Sequence, residues 1–309
     1  MDLEPKIVIL LSTYNGADYL AEQLDSLLKQ TYSNFIIIIR DDGSTDSTEK
    51  IINHYVDRNH GKIHKLLGIK SNVGPSSSFS LLIKYVIKEK ITLGLSRLYM
   101  MLCDQDDIWT EEKIEIQISE MLNAETKYPD APVLVHSDLK VVDESKTVIA
   151  ESFVVYQGLE IERNKFTNVV ISNLVTGCTS LFNEELAQIA LPIPDNAIMH
   201  DWWLALTASA FGKVIFIDTP LVEYRQHGNN TIGAKEFTKA QVSSRGLLRL
   251  LSLRASGHLV DVAEQASEFQ RCFSKTLGFK QNFCLKIASM MKLRLGCYQR
   301  LFYRIARLL

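Results

Sequence analysis

The 309-residue chain lacks the features that mark exported, membrane-spanning and disulfide-stapled proteins. No stretch approaches the ~18 consecutive apolar residues of a spanning helix. The N-terminus is acidic, and the apolar run at residues 7–11 is too short for the core of a signal peptide. The five cysteines lie far apart without CxxC spacing, so we expect reduced thiols, no zinc site and a cytoplasmic location.

Two nucleotide-binding signatures are also missing. A dinucleotide-binding protein would carry GxGxxG after its first strand, where this chain has STYNG at residues 12–16. No GxxxxGK[ST] phosphate loop occurs either. The sequence therefore argues against nicotinamide-dependent dehydrogenases and P-loop NTPases.

An excess of one charge is absent overall but present locally. The chain has 34 Lys+Arg against 36 Asp+Glu, and its 46% hydrophobic and 23% charged residues are typical of a globular protein. Residues 269–309 contain nine basic residues and no acidic one, so they carry +9 and the preceding 268 residues carry −2 − 9 = −11. The acidic body excludes nucleic acid as a partner, whereas the basic tail points to another anionic surface.

Strand and helix patterns alternate through the first half of the chain. Apolar, β-branched runs predict strands at residues 6–12, 35–40, 63–67 and 98–103, and helical spacing predicts helices at 17–29, from Ser44 onward and at 78–90. The second half is mixed, with strands predicted at 133–142, within 169–182, at 214–217 and at 221–224, and a helix at 200–211. From residue 241 onward the signals are mostly helical. This order predicts an α/β protein with a doubly wound sheet that is parallel in its first half.

Three polar clusters follow predicted strand ends, at residues 12–15, 41–44 and 104–107. Ligands of such sheets bind beyond the carboxyl ends of the strands, so we expect the clusters to converge on one crevice. Asp104, Asp106 and Asp107 could hold Mg²⁺ through one or two carboxylates, or form a solvated acidic turn. Asp42 could accept hydrogen bonds from a nucleobase or ribose, or serve only the turn before a helix.

The second half offers one candidate base and two further candidate ligands. Asp201 begins the predicted helix and is either a general base or an N-terminal acid that interacts with the helix dipole. His227 is either a neutral metal or pyrophosphate ligand or an ordinary loop residue, and Arg225 is a candidate phosphate partner. Trp202 and Trp203 suit the core or the wall of an acceptor site.

Several segments together resemble inverting family 2 glycosyltransferases. These segments are VILLSTYNGADYLAEQLDSLLKQTY from residue 8 and DDGSTDST from residue 41. Three finer motifs, DQDDIW at 104–109, HDWW at 200–203 and YRQHGNN at 224–230, are similar to bacterial rhamnosyltransferases of surface polysaccharide assembly, such as that of O-antigen. The resemblance covers residues 5–235 and implies a GT-A fold, a Rossmann-like mixed sheet flanked by helices with a helical C-terminal region. We expect a domain over 1–238, with a nucleotide-binding half (1–108) and an acceptor half (109–238), followed by a basic helical region over 239–309.

The resemblance also implies roles for individual residues. Asp201 is the catalytic base; the family often has Glu before it, where His200 stands here. Asp106 and His227 hold Mg²⁺ or Mn²⁺ at the diphosphate. The residues expected to bind the nucleotide are Thr13, Tyr14, Asn15, Asp41, Asp42, Asp104 and Gln105. Those expected to contact the diphosphate or the acceptor are Arg225, Trp202, Trp203, Thr176 and Gly177.

The implied reaction transfers L-rhamnose from dTDP-β-L-rhamnose to a lipid-linked glycan. Another donor, such as UDP-galactose, UDP-glucose or UDP-N-acetylglucosamine, is the alternative within the class, and a non-catalytic nucleotide-sugar-binding subunit is the alternative outside it. A monomer and a homo-oligomer are both compatible with the sequence.

The basic tail has two competing interpretations. On a helical wheel Tyr298, Leu301, Phe302, Ile305, Leu308 and Leu309 share one face, opposite Arg300, Arg304 and Arg307. Such a helix either lies on an anionic membrane surface, through residues 270–309, or docks on the protein with its arginines solvated. The first interpretation places the protein peripherally on the inner face of the cell membrane.

Overall fold

A computed structural model describes residues 4–68, 71–228, 256–293 and 295–308. Its centre is a nine-stranded mixed sheet with the order β3-β2-β1-β4-β8-β6-β9-β5, and β7 pairs with β6. The strands are Ile7–Thr13 (β1), Phe35–Asp41 (β2), Ile63–Lys65 (β3), Tyr99–Cys103 (β4), Ile108–Trp109 (β5), Val133–Val142 (β6), Val148–Ala150 (β7), Ser180–Asn183 (β8) and Lys213–Arg225 (β9). The α/β fold with a mixed sheet flanked by helices is therefore confirmed.

Helices cover both faces of this sheet. The helices up to β9 are Leu20–Leu28 (α1), Thr48–Arg58 (α2), Pro75–Lys88 (α3), Lys113–Lys127 (α4), Phe153–Gln157 (α5), Phe166–Val169 (α6), Glu184–Ala190 (α7) and His200–Phe211 (α8). Three more follow among the described C-terminal residues: Gly257–Phe273 (α9), Phe279–Ser289 (α10) and Gly296–Leu308 (α11). No helix of the described residues combines the length and apolar character needed to cross a bilayer.

The first half of the sheet is parallel, as the strand–helix alternation predicts. β1 pairs in parallel with both β2 and β4, and β2 pairs in parallel with β3. Successive side chains of a strand point to opposite faces, and β1 shows this directly. Val8 and Leu10 enter the core cluster on one face, while Ile7, Ile9 and Leu11 enter the cluster on the other. A strand buried on both faces needs an unbroken apolar run, which residues 7–11 provide.

The antiparallel strands β8 and β5 make the sheet mixed. β8 pairs antiparallel with both β4 and β6, and β5 pairs antiparallel with β9. β9 is one continuous strand where the sequence predicts two, and a register shift near Pro220 interrupts its pairing with β6. Proline lacks the N–H that a regular ladder needs, so the interruption has a local cause.

The C-terminal helices share the main core instead of standing apart from it. Val262, Ala263, Ala266 and Phe269 of α9 are buried in the same apolar cluster as β1, α3 and α8. The expected boundary at residue 238 and the start of the helical region lie outside the described residues.

Helix α11 docks on the body through a face next to the one predicted to be apolar. Gln299 and Ala306 are fully buried, and Phe302 and Tyr303 pack against the main core. Gln299 accepts a hydrogen bond from Ser256 N at 2.9 Å and donates one to Met291 O at 3.0 Å. The predicted apolar face is therefore divided, because Phe302 packs inward whereas Tyr298, Leu301 and Leu308 are exposed; Leu309 lies outside the described residues.

Candidate active site

A cavity of about 860 Å³ lies at the carboxyl ends of β1, β2 and β4. The sequence-predicted site residues that line it are Thr13, Tyr14, Asp42, Asp104, Gln105, Asp106, Thr176, Gly177, Asp201 and Trp202. Helices α9 and α11 complete its wall with His258, Leu259 and Tyr303. The predicted convergence of three strand ends is thus confirmed, and the C-terminal helices form an unpredicted part of the wall.

Gln105 ties the end of β4 to the loop after β1. Its Oε1 accepts hydrogen bonds from Thr13 Oγ1 at 2.6 Å and Tyr14 N at 2.7 Å, and its Nε2 donates to Tyr14 O at 3.1 Å. Gly16 makes room for this clamp, since a Cβ there would lie 2.3 Å from Gln105 Oε1. The clamp leaves the Tyr14 ring 45% exposed at the mouth of the cavity, where a flat ring could stack on a base.

Asn15 and Asp41 organise neighbouring loops and do not line the cavity. Asn15 N donates to Ser44 Oγ at 2.8 Å, and Asn15 Oδ1 accepts from Thr45 N at 2.8 Å. Asp41 Oδ1 accepts from Ser44 N at 3.2 Å and from Ser44 Oγ at 2.5 Å. The loops after β1 and β2 are therefore bound to each other, which fixes the position of Tyr14.

Asp42 lines the cavity as a buried, fully engaged carboxylate. Its Oδ1 accepts hydrogen bonds from Arg40 Nη1 at 2.6 Å and Val73 N at 2.9 Å, and its Oδ2 accepts one from Gly74 N at 2.9 Å. A buried charge needs such partners to offset its desolvation. Asp42 thus positions the loop at residues 72–74, and its contact with the base stays a prediction.

The acidic turn after β4 places Asp106 against His227. Asp106 Oδ2 lies 2.9 Å from His227 Nε2, although 121 residues separate them in the chain. The Tyr19 ring packs against the His227 ring with centroids 4.7 Å apart. The predicted metal pair is therefore brought together, next to the cavity that Asp106 lines.

The other carboxylates of the turn are held close together. Burial and the charges of Asp106 and Asp201 raise the pKa of Asp104 to about 7. Burial and the charges of Asp106 and Asp104 raise the pKa of Asp107 well above its usual range. Asp107 Oδ2 is buried without a hydrogen-bond partner among the described residues. Carboxylates crowded at one strand end in this way are stabilised by a cation between them.

The donor set fits a hard divalent cation. Asp106 and His227 offer an oxygen and an imidazole nitrogen, and Asp104 adds a second carboxylate on the cavity wall. In the described part of the chain, Asp104, Asp107 and Cys178 also place ligand atoms within 4.8 Å of one another. Burial raises the pKa of the Cys178 thiol well above its usual value, so the sulfur stays protonated and is a poor ligand for Mg²⁺ or Mn²⁺.

Arg225 is hydrogen-bonded to the acidic turn at residues 104–107, whereas the sequence predicts that it contacts a phosphate. Its side chain is buried, and it donates to Asp106 O at 3.0 Å, Glu144 O at 3.0 Å and Glu22 Oε2 at 2.5 Å. The guanidinium carbon also lies 5.0 Å from the centre of the Tyr19 ring. These contacts engage Nε and both Nη atoms of the guanidinium, so Arg225 is a positioning residue for the turn.

Asp201 stands on the acceptor side of the cavity at the start of α8. Its Oδ2 accepts a hydrogen bond from Gly177 N at 3.0 Å, and its Oδ1 accepts one from Asn173 Nδ2 at 3.4 Å and one from Trp202 N at 2.5 Å. Burial raises the pKa of Asp201 to about 6, whereas these hydrogen bonds lower it. A carboxylate with this pKa is ionised at neutral pH and basic enough to accept a proton from a hydroxyl. Gly177 thus orients the candidate base.

The two tryptophans after Asp201 have different positions. Trp202 lines the cavity, and its indole N–H donates to Val169 O at 2.7 Å. Trp203 is 1% exposed, donates to Ala190 O at 2.9 Å and packs edge-on against Phe269. Successive helix residues point about 100° apart, so only one of the pair can face the cavity. Trp203 is a core residue and does not contact the acceptor side.

His200 is a site residue that the sequence analysis did not single out. It lines the cavity, is 4% exposed and stacks on Phe79 with ring centroids 4.2 Å apart. Neither ring nitrogen has a hydrogen-bond partner among the described residues. Burial lowers the pKa of His200 to about 3, so the ring is neutral and offers one donor and one acceptor. In the sequence, its position directly before the candidate base Asp201 was the signal that could have identified His200 as a site residue.

Comparisons with known proteins point to one protein family. The family model described as Glycosyl transferase family 2 matches residues 8–188. The chain is 29% identical to the dTDP-rhamnosyl transferase RfbG of Shigella flexneri over 250 residues, which are 77% of this chain and 79% of that protein.

Two solved structures share the fold at low sequence identity. The TarS 1–349 structure of S. aureus in complex with UDP has a TM-score of 0.55 and 15% identity, and the match covers 98% of this chain and 92% of that one. The mannosyltransferase PcManGT of Pyrobaculum calidifontis, in complex with GDP-Man and Mn²⁺, has a TM-score of 0.52 and 13% identity, with 99% and 81% covered.

Proposed function

The chain belongs to glycosyl transferase family 2, and we propose that within this family it transfers L-rhamnose from dTDP-β-L-rhamnose, with inversion, to a lipid-linked glycan of a bacterial surface polysaccharide. The observation that carries the transfer reaction is the placement of Asp201 in the same cavity as the loops after β1, β2 and β4. A candidate base and a candidate nucleotide site thus share one cavity. The similarity to a dTDP-rhamnosyl transferase supports the choice of donor.

The nucleotide half of the cavity suits a nucleoside diphosphate. Tyr14 offers an exposed aromatic face for the base, and Asp104 offers oxygens to ribose hydroxyls. Gln105 keeps Tyr14 in place through three hydrogen bonds to residues 13 and 14. Base and ribose would therefore be bound by groups that are already oriented before the donor enters.

Asp104, Asp106 and His227 are the residues that would hold Mg²⁺ or Mn²⁺. When bound, the cation supplies positive charge opposite the diphosphate, which becomes more negative as it leaves. Arg225 keeps these ligands in place through its hydrogen bond to Asp106 O. This arrangement also explains why an acidic body can accept an anionic donor.

Asp201 is the proposed general base. Its carboxylate takes the proton of the acceptor hydroxyl as the acceptor oxygen forms a bond to the anomeric carbon of the donor. The bond from that carbon to the phosphate oxygen breaks, and the nucleoside diphosphate leaves with the electron pair. A single displacement inverts the anomeric centre, so a β-linked donor gives an α-linked rhamnoside. Gly177 and Asn173 hold the carboxylate in place during the step.

His200 is proposed to bind a sugar hydroxyl next to this base. Its ring nitrogens have no hydrogen-bond partner among the described residues, and they supply a donor and an acceptor in the cavity wall beside Asp201. Gly177 allows the close approach, because a Cβ there would lie 3.1 Å from His200 Nε2. A partner for both nitrogens would come from the substrate.

The donor is tested by a panel of nucleotide sugars with a rhamnose-accepting glycan and Mn²⁺. We expect turnover with dTDP-β-L-rhamnose and a new α-rhamnosyl anomeric signal by NMR. Turnover with a UDP-hexose instead would overturn the donor and keep the enzyme class. Binding of a nucleotide sugar in a thermal-shift assay, with no transfer from any donor, would support a non-catalytic subunit.

A further inference from the structure

The exposed side of the last two helices is both apolar and basic. Among the described residues, eight large apolar side chains of this region are solvent-exposed: Phe279, Phe283, Met290, Leu293, Leu295, Tyr298, Leu301 and Leu308. Lys280, Lys286 and Arg304 are exposed among them. We propose that this surface, here called the C-terminal face, docks on an anionic lipid bilayer.

Helix α10 presents its part of the C-terminal face along one side. Phe279, Phe283 and Lys286 follow at spacings of four and three residues, which places them on one side of the helix, and the exposed Met290 comes directly after its end. The Phe279 and Phe283 rings stack with centroids 6.3 Å apart, and Phe279 is 88% exposed. The opposite side of α10 is buried through Cys284, Leu285 and Ala288. A helix with a buried side and a second apolar side needs a second apolar environment.

Helix α11 also has an exposed apolar side. Its inner side is docked through Gln299 and Ala306, and its outer side exposes Leu301 and Leu308 at 50% and 87%. The docking is fixed by an ion pair between Arg307 and Glu160 at 2.7 Å. The two interpretations of the tail are therefore compatible: one side of α11 packs on the protein, and the other is exposed in the described part of the chain.

The charges of the C-terminal face identify the partner as anionic. Lys280, Lys286 and Arg304 form no ion pair within the described part of the chain, and residues 269–309 contain no Asp or Glu. A second copy of this chain would bring the same basic residues face to face in a symmetric dimer, which is unfavourable. Exposed aromatic and leucine side chains interspersed with lysine and arginine match the interface of a bilayer that contains anionic lipid.

The C-terminal face is connected to the cavity through α11. Tyr303 lines the cavity on the inner side of this helix, one residue from Arg304 on the outer side. A bilayer under the C-terminal face would therefore lie behind one wall of the proposed acceptor site. In this respect the inference deepens the proposed function, because a lipid-linked acceptor would be presented from that side.

Vesicle sedimentation without any donor tests the apolar component of the surface. The double variant F279S/L301S should bind phosphatidylcholine–phosphatidylglycerol vesicles roughly a hundredfold more weakly than the natural chain. The matched control I91S/L67S removes apolar side chains that are 92% and 81% exposed elsewhere and should bind like the natural chain. Unchanged thermal unfolding of both variants would show that each one folds.

The triple variant K280Q/K286Q/R304Q tests the contribution of charge. Its matched control, K50Q/K84Q/K88Q, loses the same charge from exposed positions of α2 and α3. Each basic residue near an anionic surface contributes about fivefold in binding, so the first variant should lose roughly a hundredfold and the second little. Binding should also fall between about 0.1 M and about 1 M salt, as the Debye length shortens from about 10 Å to about 3 Å. Vesicles of phosphatidylcholine alone should bind weakly.

Three outcomes would overturn the inference. They are equal binding of F279S/L301S and its control, equal binding to neutral and anionic vesicles, and a change of oligomeric state on mutation without any vesicle binding. The last would identify the C-terminal face as a protein interface. Because the assay contains no donor, loss of vesicle binding and loss of rhamnosyl transfer are separate results.

Discussion

Replacing Asp201 by asparagine should separate chemistry from donor binding. Asparagine keeps the shape of the side chain, and its amide oxygen can still accept the hydrogen bond from Gly177 N or the one from Trp202 N, but not both. The loops after β1, β2 and β4 that are proposed to bind the nucleotide are not changed. A positioned general base contributes typically about 10²–10⁴-fold, so we expect kcat to fall about 10³-fold while the donor Kd changes little.

The pH dependence of transfer by the natural enzyme and by Asp201→Asn provides a second test. Only the ionised carboxylate can accept a proton, and burial sets the pKa of Asp201 to about 6. The contribution of Asp201 to activity should therefore be lost as the pH falls through 6 and level off above it, with about a tenth of its carboxylate ionised at pH 5. The ratio of natural to Asp201→Asn rates should shrink about tenfold between neutral pH and pH 5. Asp104 titrates in both enzymes, and loss of the Asp201 charge lowers the pKa of Asp104 in the variant.

The assay is single-turnover transfer at saturating donor, with donor affinity measured separately by calorimetry. Asp195→Asn is the matched control, because it makes the same chemical change at an exposed residue shortly before α8. Transfer by Asp201→Asn at the natural rate would show that Asp201 is not the base. A ratio that does not change with pH, or a collapse of donor affinity, would instead assign Asp201 a structural role.

Three further outcomes follow from the geometry of the cavity. Gly16→Ala should displace Gln105, whose Oε1 would lie 2.3 Å from the new Cβ. We expect nucleotide binding, measured by calorimetry, to weaken about tenfold. An affinity equal to that of the natural chain would show that the Gln105 clamp does not organise the base site. Chelation by EDTA should stop transfer, and Asp106→Asn should raise the Mn²⁺ concentration needed to restore it; activity that is insensitive to EDTA would remove the cation from the proposal. His200→Phe should retain nucleoside diphosphate binding but weaken nucleotide-sugar binding or acceptor KM about tenfold; unchanged kinetics would confine His200 to packing.

The nucleotide half of the cavity was predictable because its signals are local. A strand that is buried on both faces requires an unbroken run of apolar residues, and residues 7–11 and 35–39 are such runs. The polar residues after each run must then lie at the carboxyl edge of a parallel sheet. Thr13 Oγ1 accordingly donates a hydrogen bond to Gln105 Oε1 at 2.6 Å, although the two residues are 92 positions apart in the chain.

The remaining parts of the site depend on contacts that have no local pattern. Arg225 looks like a phosphate ligand in the sequence, but its donors are used by Glu22, Glu144 and the backbone of Asp106, which come from three other segments. Trp203 and Trp202 are equivalent in the motif, and only the packing of α8 decides which one lines the cavity. Tertiary contacts of this kind cannot be deduced from spacing.

Helix α11 shows that the apolar residues of one amphipathic pattern can belong to two different surfaces. Its sequence is amphipathic, and a wheel assigns all its apolar residues to one environment. The structure divides them: Phe302 joins the protein core, and Leu301, one position earlier, is half exposed. The helix also exposes Arg304, which forms no ion pair within the described residues. An anionic bilayer interface would suit both its exposed leucines and this arginine. The basic tail and the acidic body would then have complementary roles, since the tail would hold the cavity at the membrane, where the proposed lipid-linked acceptor would lie.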